Sequence, residues 1–483
     1  MFGAGATPAE RWRAGYGCFG RSRAWVERSG ENRIKSHAHG ATGRGRASRT
    51  GYGLRASYGL RVRILVVSTF YPPVALGGYE VECAGVVERL REHHEVLVLS
   101  CDRDRDGVPG DAGVRRDLAL LSPDARGAMR APLASLRAAS VARAALRWRP
   151  ELIYVWNGSS IPQAALRVLA DSGTPLAFRV CEHWFGAIFT GDQYLRELLA
   201  DPGRGPARAA WAAACRMLNA APALRLRPTA PVRAAISWNS EAIERMVPTP
   251  PFVEAVLERV GHSVPRYGDL YAGVVRAPAP EPEIVFLGRV TEYKGLEVAI
   301  EALALLRSEH TIDGRLVVVG PEDAQYGAEM RALAARLGVA DVVLWRGQQS
   351  PEQAAAALAR AHALIVPSTW DEPFPLVTIE GALARVPLVA SDVGGIGEGM
   401  HDEEHALLFA RGDAAAAAAA LARVLLETDS TAARVARALQ RAQEFRIGPY
   451  LDHQERFVLD ALEALRGCSE EVGEPAHVHA RDR

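Results

Sequence analysis

One short segment of the sequence combines residue types that suit a bound diphosphate. Gly288 permits a tight turn, and it is followed by Arg289 and Lys294, just before a helix that we predict to begin at Gly295. Arginine offers a fork of hydrogen-bond donors and lysine offers a compact charge. The N–H groups at a helix N-terminus also attract anions. The segment therefore predicts a diphosphate-binding turn.

The use of lysine in this chain supports that interpretation. Of the 57 Lys+Arg residues, only Lys35 and Lys294 are lysines. An arginine and a lysine beside a turn are otherwise common on a solvated surface, which is the alternative. The chain uses arginine almost everywhere but has lysine at this position. This choice favours the interpretation that Lys294 contacts phosphate as a point charge.

A second segment places two carboxylates beside the start of another predicted helix. Glu372 lies in the loop after a strand and Glu380 near the start of the helix, with Pro375 predicted at the first helical position. The N–H groups of Leu376 and Val377 are then free donors at the positive end of the helix. Carboxylates at this place can accept hydrogen bonds from sugar hydroxyls. The alternative is that Glu380 caps its own helix and Glu372 is merely exposed.

Short apolar strands and amphipathic helices must position these segments, and they alternate on both sides of a proline-rich stretch, Ala277–Pro282. We predict strands at Val62–Ser68, Val96–Ser100, Leu152–Trp156, Leu176–Val180, Ala234–Trp238, Ile284–Gly288, Leu316–Gly320, Val342–Arg346, Ala363–Pro367, Leu388–Ser391 and Ala406–Phe409. We predict helices at Glu80–Arg91, Pro162–Asp171, Gly295–Arg307, Gly327–Leu337, Pro351–Arg360 and Pro449–Leu465. The alternation predicts an α/β protein with two doubly wound parallel sheets and a ligand at the carboxyl ends of the strands.

The domain organisation follows from this pattern. We predict an N-terminal domain at 62–276, a linker at 277–282, a C-terminal domain at 283–448, a helix at 449–467 that crosses back, and a tail at 468–483. Residues 1–61 carry 12 basic and three acidic side chains and lack apolar periodicity, so we predict a disordered basic extension. It is a solvated tail, a product of a wrongly assigned start, or a binder of anionic lipid or RNA.

Composition excludes several classes of protein. A hydrophobic fraction of 48% and a charged fraction of 24% are typical of a soluble globular protein. No apolar run is long enough to span a membrane, and the N-terminus has no apolar core of a signal peptide. The six dispersed cysteines indicate reduced thiols. We therefore expect a cytoplasmic protein, and a formal net charge of zero argues against a protein that binds nucleic acid through its whole surface. No nucleic-acid partner is expected.

Several motifs at predicted strand ends together resemble family-4 retaining glycosyltransferases of the GT-B fold, over about residues 62–465. The matching pieces are Phe70–Glu80, Gly288-Arg289, Lys294-Gly295, the Glu372-x7-Glu380 element and Val393–Ile396. The resemblance implies two Rossmann-like domains that face a central cleft, one for the acceptor and one for the nucleotide-sugar donor.

The resemblance also implies roles for individual residues. Arg289 and Lys294 would hold the donor diphosphate, Glu372 would contact the hydroxyls of the donor sugar, and Glu380 the ribose of the nucleotide. On the first domain, the backbone of Gly77 and Gly78 would approach the phosphates and the acceptor.

The implied reaction moves a hexose from a UDP-, GDP- or ADP-sugar to a polysaccharide, a lipid-linked acceptor or a small molecule. Arg289, Lys294 and the helix-end N–H groups would stabilise the departing diphosphate, so we expect no metal and no other cofactor. Peripheral contact of the protein with the inner face of the cell membrane is a further expectation.

One motif departs from the family pattern of a histidine and an acid after the strand at Leu176–Val180. Here the most direct alignment puts Cys181 at the histidine position and Glu182 at the acid, with His183 one step further on. An imidazole at this place could orient the acceptor or donate to the 6-hydroxyl of the sugar. The acceptor-side residue is therefore His183, Glu182 or Cys181, and a packed or rim histidine is the alternative.

Three rival functions remain beside the transferase. They are a catalytically silent GT-B module that binds nucleotide sugar or scaffolds a complex, a sugar-nucleotide epimerase, and a phosphorylase, which would need a lysine that bears a cofactor. The presence of Arg289, Lys294, Glu372 and Glu380 together favours the transferase.

Overall fold

The structure is a computed structural model that describes residues 61–74, 78–102, 113–120, 125–182, 184–185, 206, 213, 231–247, 249–250 and 252–470. The predicted basic extension, apart from Arg61, and the predicted tail beyond residue 470 lie outside the described residues.

The first sheet has seven strands in the order β3-β2-β1-β4-β5-β6-β7, and every pairing is parallel. The strands are Arg63–Ser68 (β1), Glu95–Cys101 (β2), Val114–Leu118 (β3), Leu152–Asn157 (β4), Leu176–Val180 (β5), Val232–Trp238 (β6) and Val253–Val260 (β7). The helices of this part of the chain are Gly78–Arg91 (α1), Ala125–Leu146 (α2), Gln163–Ala170 (α3), Glu241–Met246 (α4) and Gly268–Ala272 (α5).

The second sheet has six strands in the order β10-β9-β8-β11-β12-β13, again all parallel. The strands are Glu283–Leu287 (β8), Arg315–Val319 (β9), Val343–Gly347 (β10), Ala363–Val366 (β11), Leu388–Ser391 (β12) and Leu407–Phe409 (β13). The helices are Leu296–Ser308 (α6), Ala324–Arg336 (α7), Pro351–Arg360 (α8), Leu376–Leu383 (α9), Ile396–Gly399 (α10), Ala414–Leu426 (α11), Thr428–Ala442 (α12) and Ile447–Glu470 (α13).

Both sheets confirm the predicted doubly wound architecture. Their central strands are apolar and buried because helices cover both faces of a parallel sheet. A separate apolar cluster packs around each sheet. The edge strands β3 and β7 were not predicted, since their side chains are mostly half-buried or exposed and their sequences mix charged with apolar residues.

The last helix, α13, packs on the first sheet and on α1 although it follows the second sheet in the chain. Arg89 on α1 forms ion pairs with Asp452 and Glu455 at 2.7 and 3.0 Å. The buried hydroxyl of Tyr154 on β4 donates to Gln454 at 2.8 Å. The chain therefore returns to the first domain after it completes the second.

Candidate active site

The two segments singled out in the sequence follow neighbouring strands of the second sheet. The first follows β8 and contains a short 3-10 turn, Glu292–Lys294, and the second follows β11, which pairs directly with β8. Thr369 joins them, because its N–H donates to the carbonyl of Tyr293 at 3.0 Å and its hydroxyl donates to the carbonyl of Glu292 at 3.1 Å. The topology of the sheet thus brings the predicted cations and carboxylates to one place.

Lys294 and Glu372 are in direct contact. The ammonium Nζ lies 2.5 Å from Oε1 of Glu372, and the hydroxyl of Ser368 donates to the same oxygen at 2.6 Å. Glu372 is only 3% exposed, which excludes the alternative that it is merely a surface residue. The free-energy cost of burying a carboxyl group is offset when such partners donate hydrogen bonds to it.

Arg289 is exposed and lies over the ring of Tyr293, with its guanidinium carbon 5.4 Å from the ring centroid. Tyr293 in turn packs edge-on against Trp370 of the second segment, at 5.4 Å between centroids. Among the residues that the structure describes, none forms a hydrogen bond or an ion pair with Arg289. Its five N–H donors are available to a ligand.

Glycines shape the backbone of this site in two different ways. Gly295 has φ of +70°, and a Cβ atom there would lie 1.9 Å from the carbonyl oxygen of Pro367, so only glycine allows the turn and the second segment to approach. Apart from its two chain neighbours, a Cβ atom on Gly288 would meet no atom of the described residues within 4 Å. The side of Gly288 on which a Cβ atom would stand is therefore open to a ligand.

Helix α9 begins one residue later than predicted. Pro375 is its N-cap, with φ of −79° and ψ of 101°, and Leu376 is the first helical residue. The prediction of Pro375 at the first helical position was wrong because its ψ is extended, and Thr378 closes the turn by donating to the carbonyl of Pro375. The N–H groups of Leu376 and Val377 find no acceptor among the described residues.

Glu380 lies in the second turn of α9, and no described residue donates a hydrogen bond to its carboxylate. It does not cap its own helix, so that alternative was wrong. Burial raises the pKa of Glu380 to about 7. A carboxyl group that lacks internal donors is suited to accept hydrogen bonds from a ligand.

The two glycines after β12 fix the backbone of Glu372. Gly394 has φ of +53°, and a Cβ atom there would lie 2.1 Å from the carbonyl oxygen of Glu372. The N–H of Gly395 donates to that same carbonyl at 2.7 Å. The Val393–Ile396 segment therefore supports the carboxylate loop through backbone contact.

The acceptor-side predictions fall on the end of β5 and the start of α1. Cys181 is buried, and burial raises the pKa of its thiol to about 12, so it is neutral at physiological pH. The pKa of Glu182 is raised because nearby protein atoms remove part of its hydration and the Glu80 carboxylate lies near, while Arg289 acts in the opposite direction. The carboxylate of Glu182 therefore interacts electrostatically with Arg289 of the donor segment.

Two further predicted residues, His183 and Gly77, lie outside the described residues. Gly78 is the first residue of α1.

Contacts between the two sheet domains were not predicted. The hydroxyl of Ser240, at the N-terminus of α4, donates to the carbonyl of Pro373 in the Glu372 loop. Glu398 accepts from the N–H of Glu241 at 2.9 Å and pairs with Arg245 at 3.2 Å. In the sequence, Ser240 was recognisable only as a helix cap, since its second partner is 133 residues away.

Other kinds of site were searched for in the described part of the chain. There, His401, Glu404 and His405 are the only three residues placed to share a metal ion, and none belongs to the segments above. None of the described helices is both long enough and apolar enough to cross a membrane.

The second domain is similar in sequence to known proteins. Residues 272–441, which include Arg289, Lys294, Glu372 and Glu380, match the family model described as glycosyl transferases group 1. A D-inositol 3-phosphate glycosyltransferase from Acidothermus cellulolyticus is 35% identical over 191 residues, which cover 38% of this chain and 41% of that protein. A glycogen synthase from Mycobacterium tuberculosis is 34% identical over 167 residues, which cover 34% of this chain and 39% of that protein. The chain thus spans about two fifths of the length of the curated relatives it matches.

Solved structures match both domains. Sucrose-phosphate synthase from Thermosynechococcus elongatus superposes with a TM-score of 0.58 at 21% identity, covering 85% of this chain and 100% of that one. Anabaena HepE in complex with UDP-glucose superposes with a TM-score of 0.52 at 18% identity, covering 85% of this chain and 100% of that one. The two parallel-sheet domains therefore have the GT-B fold, and residues 272–441 are similar to the glycosyl transferases group 1 family.

Proposed function

We propose that this protein is a retaining glycosyltransferase that moves a hexose from a nucleoside diphosphate sugar to an acceptor. One observation carries the proposal. The Lys294–Glu372 pair joins the turn after β8, which also presents the available donors of Arg289, to the loop that leads into the unpaired N–H groups at the start of α9. A cluster of fixed donors beside a buried carboxylate suits a ligand that has a diphosphate at one end and a sugar at the other.

The charges of the reaction match this arrangement. Cleavage of the anomeric C–O bond leaves negative charge on the nucleoside diphosphate and positive charge on the sugar ring. Arg289, Lys294 and the N–H groups of Leu376 and Val377 stabilise the first, because they are fixed before the reaction begins. Since these groups supply the positive charge, we propose transfer without a metal or another cofactor, and activity should survive treatment with EDTA.

The two carboxylates have different roles in the proposal. Glu372 accepts hydrogen bonds from the hydroxyls of the donor hexose, and Glu380 accepts from the ribose of the nucleotide. Glu380 has no donor among the described residues, which leaves both of its oxygens for the ribose. The acceptor hydroxyl forms its bond to the anomeric carbon on the face from which the phosphate leaves, so the configuration is retained, and the departing phosphate takes the proton of that hydroxyl.

The donor is a UDP-, GDP- or ADP-hexose, and UDP-glucose is the first to test. Structures of the same fold are described with UDP-glucose in HepE and with UDP-2-fluoro glucose in an E. coli trehalose-6-phosphate protein. A thermal-shift panel of the three nucleotide sugars tests this, because a ligand that binds the folded state raises the melting temperature. A shift with one nucleotide identifies the donor, and no shift with any of them contradicts the proposal.

The acceptor is a glycan, a lipid-linked sugar or a small molecule that enters beside the first sheet. Glu182, at the end of β5 in the first sheet, interacts electrostatically with Arg289 of the donor segment. This interaction supports an acceptor site at that end of the first sheet. The Acidothermus relative is named for inositol 3-phosphate, which makes a phosphorylated polyol a reasonable member of an acceptor panel. A silent binding module would bind the donor and turn over none of these acceptors, and an epimerase would change the sugar without releasing the nucleotide.

We also propose that the protein is cytoplasmic and contacts the inner face of the membrane through helix α2. Leu133 and Leu136 are 61% and 60% exposed and lie on one face of the helix. The exposed Arg137, which pairs with Asp102 at 3.6 Å, is next to them, and the exposed Arg143 lies two turns beyond Leu136. Residues 125–149 contain six arginines and no acidic residue. Exposed leucines among arginines suit the surface of an anionic bilayer better than RNA, which offers no apolar layer.

Vesicle flotation tests this contact. The protein should bind vesicles that contain equal parts of phosphatidylcholine and phosphatidylglycerol but not vesicles of phosphatidylcholine alone. The double variant Leu133→Ser/Leu136→Ser should lose binding. Leu426→Ser, at a leucine that is 69% exposed on α11, is the matched control and should retain it. Equal binding by wild type and double variant, or binding to RNA in place of vesicles, contradicts the proposal.

A further inference from the structure

The carboxylate of Glu372 has an uneven set of partners. Its Oε1 accepts hydrogen bonds from both the ammonium of Lys294, at 2.5 Å, and the hydroxyl of Ser368, at 2.6 Å. No described residue donates to Oε2. One oxygen is therefore fixed by the protein, and the other is left for a ligand.

Lys294 cannot hold this carboxylate alone when a diphosphate is bound. Its side chain is 22% exposed, and the diphosphate is a second anion that competes for the same ammonium. Ser368 differs from Lys294, because it is only 1% exposed. Its hydroxyl therefore cannot leave Glu372 to bind the diphosphate. Its hydroxyl is the donor that stays with Glu372 throughout.

Ser368 is itself held in place by the neighbouring strand. Ser391, which is fully buried at the end of β12, donates to the carbonyl of Ser368 at 2.8 Å and to the carbonyl of Val366 at 3.3 Å. At the other end of the loop, Gly395 donates to the carbonyl of Glu372. The segment from Ser368 to Glu372 is thus fixed at both ends, which restricts where its hydroxyl and carboxylate can point.

We propose that Ser368 is a positioning residue of the donor site, whose hydroxyl holds Oε1 of Glu372 so that Oε2 faces the donor hexose. This inference rests on the proposed function. Without the hydroxyl, the carboxylate would rotate about its last torsion angles and would lose the hexose contact while the diphosphate contacts remain. A hydrogen bond to a charged group is strong enough for a loss of about 10- to 100-fold in affinity for the hexose.

Calorimetric binding of a nucleoside diphosphate and of its hexose derivative separates the two parts of the ligand. In Ser368→Ala we expect affinity for the nucleotide sugar to fall by about 10- to 100-fold, with affinity for the plain diphosphate nearly unchanged. Ser368→Cys has almost the same volume but a weak donor, so it should fold normally and still lose hexose affinity. Ser100→Ala, at another fully buried serine on β2, is the matched control and should change neither affinity.

A double-mutant cycle removes the remaining ambiguity. In a Glu372→Ala background, Ser368→Ala should have no further effect on hexose affinity, because the carboxylate that it positions is gone. Equal loss of both ligands in Ser368→Ala, or an additive loss in the cycle, would show a structural role and overturn the inference. If wild type itself does not bind the nucleotide sugar, the proposed function fails. If wild type binds it and both Ser368 variants bind it equally well, only the role of Ser368 fails.

Discussion

The Arg179–Glu82 pair of the first domain and the Lys294–Glu372 pair of the second each join one cation to one carboxylate, at 3.0 and 2.5 Å. Their surroundings differ. Arg179 is fully buried, and it also donates to Ser237 and to the carbonyl of Trp238, while Glu82 accepts from Tyr450 of α13. Lys294 is partly exposed, and one oxygen of Glu372 has no partner among the described residues.

The comparison shows what separates a structural ion pair from one that is suited to a ligand. The first pair is enclosed: the Arg179 side chain is 0% exposed and lies over the rings of Trp156 and Tyr450, and the pair connects β5, α1 and α13. The second pair is open on one side, because the Lys294 side chain is 22% exposed and lies in the turn that follows Gly288. Substitutions in the first pair should therefore act on stability, and substitutions in the second on ligand binding.

The largest effect is expected from the first pair. Arg179→Met leaves the Glu82 carboxylate buried without its cation, which should lower the free energy of unfolding by about 3 to 5 kcal/mol. Chemical denaturation measures this loss. The double variant Arg179→Met/Glu82→Met should recover a large part of the lost stability, because no unpaired charge remains. A single variant as stable as wild type would contradict the structural role.

Lys294→Ala should have the opposite profile. We expect the rate of transfer to fall by about 10²- to 10³-fold, because one fixed cation that stabilises the leaving diphosphate is removed. The melting temperature should fall less than in Arg179→Met, because water can replace the partly exposed Lys294 and Ser368 still donates to Glu372. Steady-state kinetics and calorimetry on the same preparation test both parts. Arg423→Ala, which removes an exposed pair with Glu403, is a matched control and should leave rate and stability nearly unchanged. Near-normal turnover in Lys294→Ala would refute the phosphate role.

A smaller effect is expected on the KM for the donor when pH changes the ionisation of Glu380. Its pKa is raised to about 7 by burial, so the carboxyl is mostly protonated at pH 6 and mostly ionised at pH 8. The ionised form accepts stronger hydrogen bonds from a ribose, so the KM for the donor should fall by roughly three- to tenfold from pH 6 to pH 8. Glu380→Gln cannot ionise and should flatten that dependence. An identical pH profile in wild type and variant would exclude Glu380 as its source.

The parts of the site that could be predicted from sequence are local. A run such as Leu-Ile-Val between turn residues indicates a buried strand, and parallel strands bring their carboxyl ends to one edge, so Arg289, Lys294, Glu372 and Glu380 could be placed near each other. The free N–H groups after a proline follow from the same local geometry.

The remaining parts depend on contacts that are distant in sequence. Arg179 stands in a strand with no local sign that its partners come from α1 and α13. Ser240 reaches Pro373 across the cleft, and Ser368 was not singled out because a serine after a strand has many ordinary uses. Pro375 was placed one position too far into its helix because residue type alone does not determine ψ.

The central claim is that the second pair belongs to a site for sugar transfer, and donor turnover tests it most directly. Water is an acceptor that is always present, so purified protein with its preferred nucleotide hexose should slowly release the nucleoside diphosphate. Proton NMR should show that the hexose first appears with the anomeric configuration of the donor. Lys294→Ala should abolish this release. Binding of the nucleotide hexose with no more release than in Lys294→Ala would contradict the account.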